Sequence, residues 1–324
     1  MEQFIQEGPR QLLEAVAAVK QLPPLSSSPV DAMLLGMGGS ALGGGLVEML
    51  RMKQGAAWRW QVVRDYRLPF APHPDTRVFA LSYSGNTEEV LEALSNAHRS
   101  GGHYLTVSCG GQLQQVAVEL QIPWLEVPPK PADFQPRFAL YFMFGVLHEV
   151  LVRDGLLESE CDLTVLANQL LAADLSAAGK RVADFLGDRI PVIYTDTMYA
   201  AGVARTWRIK FNENSKIPAL AGALPEINHN ELIAFAPEFA DRFAFLLLPD
   251  PDGHPKIANR FELFGRLMEQ YGYPVMTMPL AGHDCVDKAL TSLLLADWVS
   301  FHVAQGRGVD PVSIPAIQDF KSLL

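Results

Sequence analysis

The sequence predicts an α/β protein made of two similar doubly wound parallel-sheet subdomains in tandem. Three observations carry that expectation. Short apolar runs bounded by glycine, proline or polar clusters alternate with longer stretches of helical periodicity, the pattern of a parallel sheet with crossover helices. The alternation pauses in a helical middle, Arg137 to Leu186, and restarts at Pro191. The chain has 324 residues, 49% apolar and 19% charged, enough to bury a core without disulfides or metals. Two unrelated α/β units remain the alternative to a repeat.

The elements follow in order. A helix is expected from Gln3 to Leu22, with Leu12, Leu13, Val16 and Val19 on one face. Pro23 and Pro24 stop it, and Ser26 to Ser28 read as a linker. Met33 to Leu35 is a strand that runs into a glycine-rich turn, and Ala41 to Leu50 has helical spacing. Trp60 to Val63, Arg77 to Leu81 and Tyr104 to Val107 read as strands, with a helix from Thr87 to Ser100. After the helical middle, Pro191 to Tyr194 is a strand and Met198 to Lys210 a helix with Val203 and Trp207 on one face. Ala244 to Leu248 and Pro274 to Met278 are further strands, and Val286 to Ala304 is the last long helix. The expected division is 1–150 and 151–324.

Composition excludes several classes. The formal net charge is −10, which does not suit a general nucleic-acid binder. No apolar run reaches the ~18 residues of a membrane helix; the longest candidate, Ala139 to Val152, is interrupted by His148 and Glu149. Met1 to Lys20 carries Glu2, Glu7 and Glu14 and lacks a basic-then-apolar leader, so a cytoplasmic protein without membrane association is expected. Cys109, Cys161 and Cys285 fit neither a disulfide framework nor a zinc motif. The histidines include no HxxxH or HExxH pair, so no metal site is expected.

Four segments carry chemistry. Gly36-Met37-Gly38-Gly39-Ser40-Ala41-Leu42-Gly43-Gly44 lets backbone approach a ligand, and N–H groups at a helix start suit an anion. It lacks the Gly-Lys-Ser/Thr end of a P-loop, and Val63-Arg64-Asp65 is a weak ribose-binding end for a dinucleotide fingerprint. A tight strand-to-helix turn is the bland alternative. Ser82-Tyr83-Ser84-Gly85-Asn86-Thr87-Glu88-Glu89 follows a strand and opens a helix, so three hydroxyls converge at a positive helix end, as a phosphomonoester requires. Simple N-capping by Asn86 or Thr87 is the alternative. The second half has Thr195-Asp196-Thr197 after its first strand, so only the first half is expected to cradle phosphate. Phe211 to Ala219 and Pro225 to Glu231 gather carboxylates, amides and an imidazole, the ingredients of general acid/base work, with Glu213, Glu226 and Glu231 as rival bases.

These segments together resemble a family. Met37-Gly-Gly-Ser40, Ser82-Tyr-Ser-Gly-Asn-Thr87, Asn212-Glu-Asn-Ser-Lys216-x-Pro218 and Glu226-x-Asn-His-Asn-Glu231 are similar to the bifunctional phosphoglucose/phosphomannose isomerases of the sugar isomerase (SIS) superfamily. The likeness runs in order from about Leu34 to Lys321. It implies two SIS subdomains, sugar-phosphate loops in 1–150 and catalytic Glu and His loops with the tail in 151–324. It also implies a hexose 6-phosphate substrate, a cis-enediol intermediate, no cofactor, and a homodimer. By the same resemblance Ser82, Ser84 and Thr87 hold the phosphate, and Gly38, Gly39 and Ser40 line the sugar. Glu213 moves a proton between C1 and C2. His229 opens the sugar ring from across the dimer interface, Lys321 sits near the ring oxygen, and Arg137 lies beside the enediolate.

Three positions depart from the family pattern. Gly43-Gly44-Gly45 stands where Gly-Gly-Asp is commoner, and Thr195-Asp196 where Gly-Ser is. Asp310-Pro311-Val312-Ser313 offers a serine where a threonine is linked to acceptance of the 2-epimer, so mannose acceptance stays open. A non-catalytic SIS regulator is the alternative of another class, although the acidic first ~30 residues provide no DNA-binding helix-turn-helix. A glucosamine-phosphate-forming amidotransferase would need a glutaminase domain that this length does not hold.

Overall fold

The computed structural model describes residues 1–23 and 29–323, with only the backbone at Lys321. The expected linker at Ser26 to Ser28 and the Lys321 side chain lie outside the described residues. The chain forms two compact units, Gln6–Ala172 and Ala173–Leu324, the second joined by Met1–Ile5. The division therefore falls later than residue 150, because the helix Leu163–Ala172 packs with the first unit.

The expected opening helix is two helices, α1 (Glu2–Glu7) and α2 (Arg10–Gln21). Pro9 separates them, since it lacks an N–H and disfavours helical backbone at Gly8 before it. In the first unit β1 (Asp31–Gly36) leads through a 3-10 turn, Gly38–Ala41, to α3 (Gly43–Lys53). Then come β2 (Trp60–Val63), β3 (Thr76–Leu81), α4 (Glu88–His98), β4 (His103–Ser108), α5 (Gly111–Glu119) and β5 (Trp124–Glu126). All five strands are parallel in the order β2-β1-β3-β4-β5, with Leu35 opposite Ala80 and Phe79 opposite Leu105. Met33, Leu35, Val78 and Ala80 face Val90, Ala93, Leu94 and Ala97 of α4 and Leu113 and Ala117 of α5. A 3-10 turn, Pro136–Ala139, opens α6 (Leu140–Arg153), which is buried almost all round, as its apolar run from Leu140 to Leu147 requires. It packs on α2, as does α7 (Leu163–Ala172). Arg77 in β3 and Asp154 after α6 form a bidentate pair, 2.6 and 3.0 Å, with both side chains 2% exposed.

The second unit repeats the plan. After α8 (Ser176–Leu186) come β6 (Ile190–Asp196), α9 (Arg205–Lys210), β7 (Leu220–Leu224) and α10 (Ile227–Asn230). They are followed by β8 (Phe243–Leu248), α11 (Pro255–Gln270), β9 (Val275–Thr277), α12 (Cys285–Gly306) and α13 (Pro315–Lys321). The parallel order β7-β6-β8-β9 matches β2-β1-β3-β4 strand for strand. An edge-to-face aromatic cluster of Tyr194, Phe235, Phe245, Phe264 and Tyr273 fills one side of the sheet. The stretch expected to be one helix, Met198 to Lys210, is a 3-10 turn, a π turn (Ala200–Ala204) and α9, continued by a second π turn, Phe211–Ser215. Inside it Trp207 donates to Ser292 Oγ at 3.0 Å, and Lys210 pairs with Asp297. No described helix is long and apolar enough to cross a membrane.

Candidate active site

The carboxyl end of β3 gathers three hydroxyls at the start of a helix, a candidate anion cradle. Ser82 is buried at the strand end, Ser84 is exposed, and Thr87 is the N-cap residue of α4. Capping does not consume the hydroxyls: Thr87 makes no side-chain cap bond, and its Oγ1 lies 2.8 Å from Ser82 Oγ. Ser82 Oγ accepts from Gly85 N at 3.1 Å and Ser84 Oγ from Asn86 N at 3.2 Å, which shapes the loop around its own hydroxyls. The Glu88 and Glu89 N–H groups in the first turn of α4 thus stay available at the positive end of the helix dipole. The loop is braced from behind by α5, where Leu113 N donates to Gly85 O at 2.8 Å and Gln112 N to Asn86 Oδ1 at 3.0 Å.

The glycine-rich turn docks on this cradle. Ser40, 4% exposed, accepts from Tyr83 N at 3.0 Å, so its hydroxyl ties the two loops together. Gly38 adopts φ +48°, a left-handed conformation that disfavours a side chain. At Gly39 a Cβ would lie 2.6 Å from Arg137 N and Cα. Only a glycine lets the turn Pro136–Ala139 approach so closely. Arg137 is held there, buried, with its guanidinium over the Phe138 ring at 4.6 Å. One unit therefore brings together Gly38, Gly39, Ser40, Ser82, Ser84, Thr87 and Arg137.

The matching position in the second unit is built against phosphate. After β8, where β3 is followed by serines, the chain reads Pro249-Asp250-Pro251-Asp252. Lys288 of α12 donates to Asp250 at 2.6 Å and to Asp252 at 2.5 Å. Asp196, at the end of β6, accepts from Asp250 N at 2.8 Å, and burial pushes its carboxyl above the usual range. The start of α11 is occupied as well, since His254 Nδ1 accepts from Lys256 N. Carboxylates and a filled cap leave no cradle there.

The second unit supplies acid/base groups instead. Glu213 sits in the π turn Phe211–Ser215, whose neighbours are pinned to α12: Asn214 Nδ2 donates to Ser300 Oγ at 2.9 Å and Ser215 Oγ to Ser300 O at 2.7 Å. Lys216 closes the turn in a left-handed conformation, φ +57°, with its Nζ on Glu213 O at 2.5 Å. Glu213, Asn212 and Lys216 share a pocket of about 360 Å³ with Ile314 to Ile317 at the start of α13. That tail is held by Asp310, which accepts from Val312 N at 2.9 Å and Ser313 N at 3.3 Å. The Val312 N–H first, then the Ser313 hydroxyl and N–H and the Lys216 charge, keep the Asp310 carboxyl below its usual range.

His229 lies exposed on α10 and does not line the Glu213 pocket. The rival carboxylates are engaged elsewhere: Glu231 accepts from Tyr194 Oη at 2.7 Å and Glu226 from Asn230 Nδ2 at 2.7 Å. The sequence reading missed the brace from α5 and the apolar wall of Ile314 to Ile317. The Gly110-Gly111 pair was the available signal for the first; the second had none, because a distant tail forms it.

Comparison with known proteins places this geometry. Residues 176–324 match the family described as bacterial phospho-glucose isomerase C-terminal SIS domain. Over 290 residues the chain is 33% identical to the bifunctional phosphoglucose/phosphomannose isomerase of Aquifex aeolicus, covering 89% of this chain and 88% of that one. It is 28% identical over 330 residues to the enzyme of the same name from Caldicellulosiruptor bescii, covering 98% and 96%. The tagatose-6-phosphate ketose/aldose isomerase structure from Escherichia coli has the same fold, with a TM-score of 0.71 at 16% identity over 96% of this chain and 93% of that one. The chain, with its two repeated parallel sheets, therefore belongs to the bifunctional phosphoglucose/phosphomannose isomerase family.

Proposed function

We propose that this chain is an aldose–ketose isomerase that interconverts glucose 6-phosphate and mannose 6-phosphate with fructose 6-phosphate through a cis-enediol. The observation that carries the reading is the cradle of Ser82, Ser84 and Thr87, whose hydroxyls are not spent on capping α4. A phosphomonoester dianion would accept from these hydroxyls and from the first-turn N–H groups of the helix. Glucose and mannose phosphates differ only at C2, which is planar in the enediol, so both aldoses reach one intermediate.

In this mechanism Glu213 takes the C2 proton of the open-chain aldose and returns it to C1, while the hydroxyl proton passes from O2 to O1 through the enediol, leaving the carbonyl at C2. Arg137 stabilises the negative charge that builds on oxygen in the enediolate. His229 moves the proton between ring oxygen and anomeric hydroxyl when the sugar opens, and Lys321 supports the ring oxygen. His229 acts in the partner's site of a cytoplasmic homodimer. What supports this is its exposure and its absence from the wall of the Glu213 pocket in its own chain. No metal or redox cofactor enters this reading, since C1 is reduced and C2 oxidised within one molecule by proton transfer alone.

The test is a coupled assay on glucose 6-phosphate, mannose 6-phosphate and fructose 6-phosphate. Turnover of all three supports the proposal. Binding of fructose 6-phosphate without turnover would instead make the chain a sugar-phosphate sensor.

A further inference from the structure

Several buried cations in this protein are paired with carboxylates. Arg77 has Asp154, Lys130 has Glu14, Lys210 has Asp297, and Lys288 has Asp250. Arg205 and Arg208 have no such pair; Arg189 shares their unpartnered Nε but stands apart from them in sequence, whereas these two are neighbours on one helix. They stand three residues apart on α9, on neighbouring positions of one helical face. Both are only partly exposed, and the Nε of each is buried with nothing to donate to. Among the described residues neither guanidinium has a carboxylate partner. Burial first, and the Arg208 charge second, push the Arg205 guanidinium below its usual range. A pair of like charges has been brought together and partly dehydrated in a chain whose net charge is −10.

The space beside them is open. Arg205 and Arg208 line a pocket of about 240 Å³ whose other walls are Ala200, Ala221, Gly222 and Ala223. These are small residues without polar side chains. Three of them belong to β7, the edge strand of the sheet, so one side of its backbone is unpaired. Two guanidinium forks over a polar backbone edge, with no acidic group in the wall, match an oxyanion that carries two charges.

We infer that Arg205, Arg208 and the β7 edge form a second anion site, which takes a phosphate group or a comparable small dianion and is separate from the Ser82–Thr87 cradle. The substrate cradle lies in the other unit on hydroxyls and a helix end, whereas this site works by charge. A dianion there neutralises two guanidinium groups that otherwise repel, so its binding stabilises the second unit. The inference stands whether or not the chain is an isomerase.

The test is equilibrium binding of inorganic phosphate to the full chain, with thermal melting in parallel. Wild type should bind phosphate at two sites. Ser84→Ala/Thr87→Ala should lose the cradle and keep the second site. Arg205→Gln/Arg208→Gln should weaken the second site by more than about tenfold, since each charged hydrogen bond is lost. That variant should also melt above wild type in phosphate-free buffer, because it removes the repulsion, and should no longer gain stability from added phosphate. Arg205→Lys/Arg208→Lys, which keeps charge but loses the fork, checks folding and should bind with intermediate strength. Unchanged phosphate binding in the Gln variant would overturn the inference. So would dissociation of that variant into monomers with phosphate binding intact, which would assign the arginines to carboxylates of a second copy.

Discussion

Replacing Gly39 by alanine would put a methyl carbon 2.6 Å from Arg137 N, Arg137 Cα and the carbonyl carbon of Pro136. Ordinary van der Waals contact begins at 3.4 Å, so the two segments must separate by about 0.8 Å. All three obstructing atoms are backbone, and Arg137 and Phe138 are buried at the start of α6. No side-chain rotation can relieve the clash; the Pro136–Ala139 turn must move and carry the Arg137 guanidinium with it. Overpacking of this kind costs about 1–3 kcal/mol, and a displacement near 1 Å in a reacting constellation costs on the order of 10²-fold in rate. Gly38 is the control. It has φ +48° with nothing within 4 Å of an added Cβ, so Gly38→Ala meets left-handed strain of about 1–2 kcal/mol and no collision. The assay is fructose 6-phosphate isomerisation by a coupled readout, with urea unfolding of the same preparations. Gly39→Ala should lose about 10²-fold in kcat while staying folded, and Gly38→Ala should keep kcat within about threefold. Wild-type kcat in Gly39→Ala, or equal losses in both variants, would refute the claim that Gly39 seats Arg137.

Three further outcomes follow from the same geometry. Asp154→Ala strands the buried Arg77 guanidinium and should cost about 3–5 kcal/mol in urea unfolding, with catalysis changed little in the protein that remains folded. Burial pushes the Tyr104 phenol up to about 12 from 10.0, so its neutral form favours the fold. That contribution is complete below pH 10 and is lost as pH rises toward about 12. Tyr104→Phe should flatten the alkaline fall in stability over that window in pH-dependent unfolding. Mixing inactive Glu213→Gln and inactive His229→Ala protomers should restore activity if His229 serves the partner's site; confirmed subunit exchange without recovery would contradict it.

The strands of both sheets that are five residues or longer were legible in the sequence except β7. Apolar runs such as Val78 to Leu81 and Ala244 to Leu248 admit no other buried element. β7 escaped because Leu-Ala-Gly-Ala-Leu has little β-branched character and sits at an edge, where half-burial erases the apolar signal. β5, only Trp-Leu-Glu at an edge of its own sheet, was not anticipated either. The π turns around α9 were invisible, since their extra residue shifts the helical phase without changing composition. For the site, the serine-rich box and the glycine turn could be read because anion cradling needs small hydroxyl residues and glycine in a fixed order. Their mutual tie through Ser40 and Tyr83, and the seat that Gly39 gives Arg137, depend on contacts across long stretches of chain. The carboxylate filling at Asp250 and Lys288 explains the asymmetry between the halves, which the sequence showed only as a missing glycine turn.

The central claim is that Glu213 carries the proton between C1 and C2. It is tested most directly by following exchange of the substrate C2 hydrogen with solvent deuterium in wild type and in Glu213→Gln, with Glu226→Gln alongside. Glu213→Gln keeps the shape of the side chain and removes the base, so exchange and turnover should fall by about 10²–10⁴-fold, with fructose 6-phosphate still bound. Glu226→Gln should exchange near the wild-type rate. Undiminished exchange in Glu213→Gln would contradict the account and move the base to another residue.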